Sequence, residues 1–403
     1  MILNSIKLII SLIVIIFFFS SCEEDFKLIT DYKDQTVIYA FLEHKDPWGW
    51  PSGDTDTNWI VVNKAFLGED NVEDMASVSD SVNYPNYDDL HVTLQRIKTI
   101  DANSATVGEP IILLPTQHYK DSGLFAQDNN IVFYTTALLM NYRNIDNDPS
   151  PELDNDYFYK LSVIKPNQEE VYATTKMLRG IYIGKPMTNS PAHREIKMAS
   201  SFPNYTYKVN YKTNKDARLY SFKIRLFYYE KRTDGHIYLD YVDYAHPVIV
   251  TKSKNTPDAQ EMKISVSPLS FYSSIERKLH NTDGVVWRAP KILSKTGLVE
   301  SHALLFTLGD QNTYIYNQVT KPSNGIIQDR PTYTNITNGL GLFSSTWNYQ
   351  RDQFKLTAAT IDSISDGIVT KDLKFLNNSE TVLQNSKITS DDVIITQRVL
   401  DLR

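Results

Sequence analysis

From residue 35 onward the chain runs in short stretches of β-branched and aromatic residues separated by turn formers. The runs 35–43 (QTVIYAFLE), 58–67 (NWIVVNKAFL), 90–97, 109–118, 130–139, 157–165 and 170–176 predict strands. Seven strands within about 145 residues is the count of an immunoglobulin-like sandwich. In 157–165, Tyr159, Leu161 and Val163 alternate with Lys160 and Ser162, so one face is expected to pack and the other to meet water. Pro166 and Asn167 then turn the chain and make 170–176 its hairpin partner. The stretch 70–81, with Val72, Met75 and Ala76, breaks the pattern and predicts one or two helical turns.

Turn formers gather at 180–191 (GIYIGKPMTNSP) and the alternation stops, which predicts a domain boundary. Beyond it Tyr220, Phe222, Ile224, Leu226 and Tyr228 alternate with Ser221, Lys223 and Arg225, Asp234-Gly235 supplies a positive-φ turn, and 236–242 returns. This predicts a long hairpin over 218–243. Ser267 as N-cap and Pro268 in the first turn precede Leu269, Tyr272, Ile275 and Leu279 at helical spacing, so one amphipathic helix should follow and cover a face or end of the sheet. A strand over 303–308 comes next, and Asp310 is placed to cap a short helix running to Val319. The expected fold is mainly β: an N-terminal immunoglobulin-like β-sandwich over 35–180, then a C-terminal β-rich domain over 191–376 with one or two short helices. The tail, 377–403, is polar except at 393–395 and 399–402, and reads as an edge strand or a loose end.

The first 34 residues follow another pattern. Lys7 precedes an apolar run over 8–19 broken only by Ser11, and Ser20, Ser21 and Cys22 follow. The run is too short to span a bilayer and its flank is acidic, so 1–21 is expected to be a cleaved signal peptide and 22–34 a lipidated tether. The tetrad FSSC resembles a bacterial lipobox, with Phe19 where an aliphatic residue is usual. That resemblance implies a diacylglyceryl group on the Cys22 thiol, cleavage before it, and acylation of the new amine. Two or more acyl chains anchor a protein stably. The alternative is an ordinary secretory signal followed by a Cys. Glu23, Glu24 and Asp25 are similar to the export signals that carry Bacteroidota lipoproteins to the cell surface, and also read as a solvated linker.

Charge and candidate chemistry change this picture little. With 41 Lys+Arg against 48 Asp+Glu the formal charge is -7, which argues against a general affinity for phosphate backbones or anionic headgroups. No nucleic-acid partner is expected. A single Cys excludes an intramolecular disulfide and a multi-cysteine metal site. The established spacings HExxH, GxSxG, Walker A, GxGxxG and CxxC are missing, and the eight His residues never form a close pair. No catalytic residue and no cofactor are assigned. The loop carrying Asp146, Asp148, Glu152, Asp154 and Asp156 offers alternating oxygens of the kind calcium takes, but Pro151 and Tyr157 stand where an EF-hand needs Gly and Glu. A looser calcium clamp or a solvated turn remains. Trp48 and Trp50, in the loop DPWGWPSGDTDTN, suit contact with a sugar or peptide, or packing over the sandwich end. Ser81 in Asp80-Ser81-Val82 and Ser363 in Asp362-Ser363-Ile364 match the Asp-Ser/Thr-apolar sequon of Bacteroidota O-glycosylation.

Taken together, FSSC, VIYAFLE followed by VVNKAFLGEDN, and YTNITNGLGLFSS over 333–345 resemble an uncharacterised, domain-of-unknown-function family of Bacteroidota outer-membrane lipoproteins, across roughly residues 34–376. Within the last motif, Asn338-Gly339 and Gly341 read as turn and close-packing positions and Phe343 as a core anchor. The resemblance implies a two-domain β-rich lipoprotein of the outer membrane, in a family that accompanies outer-membrane receptors or secretion machinery. The expected function is a surface-exposed, non-enzymatic binding or scaffold component of an outer-membrane complex. A glycan- or nutrient-binding lipoprotein using the Trp48 and Trp50 loop is the alternative, and a hydrolase with a discontinuous site the minor one.

Overall fold

The computed structural model describes residues 35–45, 57–65, 82–117, 131–135, 158–166, 168–186, 194–202, 204–251, 259–292, 302–320 and 333–400, together with Val78. The molecule is mainly β. Every run expected in the first half holds a strand: β1 (Thr36–Lys45), β2 (Asn58–Lys64), β3 (His91–Ile97), β4 (Ile111–Ile112), β5 (Leu114–Gln117), β6 (Ile131–Thr135), β7 (Phe158–Ile164) and β8 (Val171–Lys176). The run 109–118, expected as one strand, is two. Leu113 between them is buried, and its N–H donates to the Val92 carbonyl at 3.0 Å, so the chain pivots there from one sheet to the other.

In one sheet the order is β1-β2-β6-β5, and in the facing sheet β4-β3-β7-β8. Lettered along the chain, these are the ABED and CFG sheets of a constant-type immunoglobulin domain, with β4 added beside the C strand. Alternation produces the core between them. Ile38, Ala40 and Leu42 of β1, Ile60 and Val62 of β2, and Phe133 of β6 point inward to meet Val92 and Leu94 of β3 and Tyr159, Leu161 and Val163 of β7.

The second half contributes β9 (Ile183–Lys185), β10 (Glu195–Ile196), β11 (Tyr207–Lys212), β12 (Leu219–Arg232), β13 (Ile237–Ala245), β14 (Ile249–Val250), β15 (Glu261–Val266), β16 (Val285–Pro290), β17 (His302–Gly309) and β18 (Gly339–Leu356). The expected hairpin is β12 with β13, paired from Lys223↔Ala245 to Lys231↔Ile237, and Gly235 at its tip has φ +89°. Helix α1 (Pro268–Leu279) starts as the sequence predicts, with the Ser267 hydroxyl accepting from the Ser270 N–H at 3.1 Å. Its buried stripe is Phe271, Ser274, Ile275 and Leu279. Leu269, expected on that stripe, is exposed, because two residues turn it about 200° round the helix from Phe271. Helix α2 (Gln311–Thr320) is capped by Asp310, whose carboxylate accepts from the Thr313 N–H at 2.9 Å.

Residues 377–400 form two helices and an edge strand rather than a loose end. After α3 (Ala358–Asp366) come α4 (Asn378–Lys387), β19 (Val393–Ile395) and α5 (Gln397–Leu400). β19 adds to the β13 edge in parallel, and Val399 packs fully buried against Phe227 and Leu239.

β18 joins the two halves. Its start runs parallel to β1, from Thr36↔Gly339 to Lys45↔Asn348, and its remainder pairs antiparallel with β17. Phe343 enters the core of the sandwich, while Trp347, Tyr349, Phe354 and Leu356 enter the core of the second half. The motif read as part of the second domain therefore completes the first. The segment expected as a boundary, 180–191, contains β9, which pairs with β11.

Candidate functional site

Most residues singled out in the sequence, namely Cys22, Trp48, Trp50, Ser81, Asp146, Asp148, Glu152, Asp154 and Asp156, lie outside the described residues, as does the stretch 70–77. Ser363 is described. It sits half-buried within α3, its hydroxyl donates to the Ala359 carbonyl at 2.8 Å, and the neighbouring Asp362 carboxylate accepts from the Asn378 N–H at 2.8 Å. The serine hydroxyl is thus engaged within its own helix, while the Asp362 carboxylate ties that helix to the start of the next. Among the described residues, no three His, Cys, Asp or Glu side chains form a metal-binding group, and no helix is long and apolar enough to cross a membrane.

The surface that stands out is the outer face of the β1-β2-β6-β5 sheet. Trp59 of β2 lies across from Tyr134 of β6, and Tyr134 across from Leu114 of β5. The register of β1 with β2, in which Ala40 faces Ile60, carries Phe41 to the other side of Trp59. A transverse row results: Phe41, 38% exposed, Trp59, 46% exposed, Tyr134, half-buried, and Leu114, 55% exposed. The Trp59 and Tyr134 rings sit 5.6 Å apart and are tilted by 35°. No charged side chain interrupts the row. At its β1 end Glu43 accepts from the Asn348 amide of β18 at 2.6 Å, and the Glu43 N–H is held by the Asn58 side chain at 2.6 Å. Two residues before Phe41 along β1, on the same face, Tyr39 meets Tyr316 of α2 edge to face at 6.0 Å. Burial and that contact push the Tyr39 phenol up to about 12.

A signal for this row was present in the sequence. Trp59, Ile60, Val61 and Val62 are apolar at successive positions, so β2 presents apolar groups on both faces at once. A half-buried strand of an open sandwich needs them on one face only.

Three buried polar side chains, Asp310, His302 and Arg288, serve the architecture. Asp310 is buried, and burial pushes its carboxyl up against the donors that surround it. It accepts from the hydroxyl of Ser344 on β18, and Thr175 of β8 approaches its other oxygen at 3.5 Å. Ser345, next along β18, donates to the Lys176 carbonyl at 2.7 Å and accepts from the Leu178 N–H at 3.0 Å. The hydroxyls and carboxylate thus tie the two halves together, and Ser344 is fully buried. His302 is also enclosed. Its Nδ1 accepts from the Phe227 N–H at 3.0 Å, and desolvation lowers its pKa to about 3, so the ring is neutral. Arg288 is buried beside Glu230 at 2.7 Å and donates to the carbonyls of Leu279, Asn281 and Leu373.

Compared with known protein families and with curated proteins, the chain matches none.

Proposed function

We propose that this chain is a lipid-anchored, surface-exposed outer-membrane protein that works without catalysis, as the binding or scaffold component of an outer-membrane complex. The row of Phe41, Trp59, Tyr134 and Leu114 on the open sandwich face carries the reading. Trp and Tyr supply large, rigid contact area at small entropic cost, and they dominate the centres of protein interfaces. An uncharged aromatic row on a rigid sheet is costly to leave in water and productive to cover. The FSSC motif with Cys22, and the resemblance of the chain's motifs to outer-membrane lipoproteins, support the location. The test places a photo-crosslinking residue at Trp59 in the full chain in intact outer membranes, with Ile368, 91% exposed on the second half, as control. A discrete adduct from Trp59 and none from Ile368 is expected. Adducts from neither position, or equally from both, overturn the assignment of this face.

A glycan ligand is the second reading, favoured by the Glu43 and Asn348 pair at the end of the row. Ring faces stack on sugar C–H groups while a carboxylate and an amide accept and donate to hydroxyls. Retention on outer-membrane polysaccharide in an affinity gel, lost on Trp59→Ala, separates it from a protein partner.

A further inference from the structure

The sheet β9-β11-β15 has a second outward face of different character. Alternation along β11 turns Tyr207, Val209 and Tyr211 into the core and Lys208, Asn210 and Lys212 outward. The registers set Lys185 of β9 and Lys263 of β15 on either side of Asn210. Four ammonium groups therefore surround one amide, and Glu261, opposite Lys212, is the one carboxylate among the outward strand positions of this sheet. Among the described residues, none of the four lysines pairs with a carboxylate. In a chain of formal charge -7 this is a segregation of positive charge that the total conceals.

Two phenols flank the lysines. Tyr182 is 66% exposed, with the Lys212 ammonium 5.7 Å from its ring centre. Tyr205 lines an open cleft of about 470 Å³ together with Lys185 and Lys208. Lysine is a compact point charge without the fork that grips one phosphate bidentately. Spread over three strands on an open face, such charges suit a surface of many anions better than a single bound ion. Tyr side chains, apolar in body and polar at the tip, favour the headgroup level of a bilayer.

We infer that this face docks on a membrane surface rich in anionic, phosphate-bearing lipid headgroups. It orients the folded chain against the bilayer and leaves the aromatic row of the sandwich to its own partner. The inference does not rest on the function proposed for that row. Each lysine near an anionic bilayer contributes about a fivefold increase in partitioning, and the attraction fades as salt shortens the screening length.

The test mixes the full chain with vesicles of phosphatidylcholine alone or of phosphatidylcholine doped with phosphatidylglycerol, and sediments them. Any contribution of acyl chains or of the N-terminal apolar run is common to both, so the difference between the two isolates the charge. The variant carries Lys185→Gln, Lys208→Gln, Lys212→Gln and Lys263→Gln. The control carries the same charge change at the exposed Lys98, Lys355, Lys371 and Lys387. Circular dichroism establishes that both are folded. The wild type is expected to prefer phosphatidylglycerol vesicles by roughly several hundredfold at low salt, four lysines at about fivefold each, and only the first variant to lose that preference. No preference in the wild type, or equal losses in the two variants, overturns the inference. So does a face that retains soluble polyphosphate or single-stranded DNA through these lysines while ignoring vesicles, since the occupant is then a polyanion in solution.

Discussion

A Cβ on Gly341 would collide with the carbonyl oxygen of Ile38. The two residues face each other in the parallel ladder of β1 and β18, and Gly341 has φ +110°, a conformation that side chains rarely adopt. The ladder that joins the two halves therefore depends on a residue without a side chain. Gly341→Ala is expected to lower stability by several kcal/mol, about 1–3 from the backbone conformation and the rest from displaced β1. Gly235→Ala, at φ +89° with open space around it, should cost only the first part. Urea unfolding of both variants checks this, and equal effects would mean that β1 yields freely.

Stability should depend on pH through His302. The folded ring is held at about 3, whereas in the unfolded chain it titrates near ~6.5. As pH falls through this window the unfolded chain takes up a proton that the folded chain refuses. The contribution is complete above about 6.5 and is lost on the order of 1 kcal/mol per pH unit below it. His302→Gln, which keeps an acceptor for the Phe227 N–H, should flatten this part of the profile. Denaturant midpoints collected between pH ~7 and pH ~5 on both proteins measure it, and parallel profiles would show that another group governs the acid side.

The elements that local pattern dictates were legible in the sequence. The β12–β13 hairpin, the Ser267 cap and the Asp310 cap depend on residues near one another in the chain, and all three formed as read. Pairings between distant segments left a fainter trace. Gly339 and Gly341 marked close approach, yet nothing in the sequence named Thr36 and Ile38 as the residues approached. The outward row of the sandwich was only half legible for a related reason: the run 59–62 marks β2 as apolar on both faces but not which residues lie outward. Trp59 and Phe41 look like core residues until the register of β1, β2 and β6 fixes which face each occupies. Similarly, Lys185, Lys208, Lys212 and Lys263 are scattered through the sequence and converge only when three strands pair.

Arg288→Met should destabilise the fold by about 3–5 kcal/mol, since it leaves the buried Glu230 carboxylate with only the more exposed Arg232, at 2.6 Å, and strips three backbone carbonyls of their donor. Replacing both members of a buried ion pair by apolar residues is often nearly neutral. Here it should not be. Arg288 also donates to the carbonyls of Leu279, Asn281 and Leu373, which lose those bonds in the double variant Arg288→Met, Glu230→Leu. Thermal unfolding of the single and double variants decides the point. Recovery of wild-type stability in the double variant would reduce Arg288 to a counter-ion.

The last helical turn gives a sharp contrast between neighbouring residues. Val399 is fully buried against Phe227 and Leu239, while Arg398 reaches Asp240 at 3.3 Å from a side chain that is mostly exposed. Val399→Asp places a carboxylate in that apolar contact and should cost several kcal/mol, releasing α5 and with it β19 from the edge of β13. Arg398→Ala removes a solvated pair and should cost less than about 1 kcal/mol. Limited proteolysis reads the outcome directly, because cleavage near the C-terminus should accelerate in the first variant and not in the second. If both variants resist cleavage like the wild type, β19 holds the edge by its backbone alone. If both are cut quickly, the Arg398–Asp240 pair is what closes the turn, and burial of Val399 follows from it.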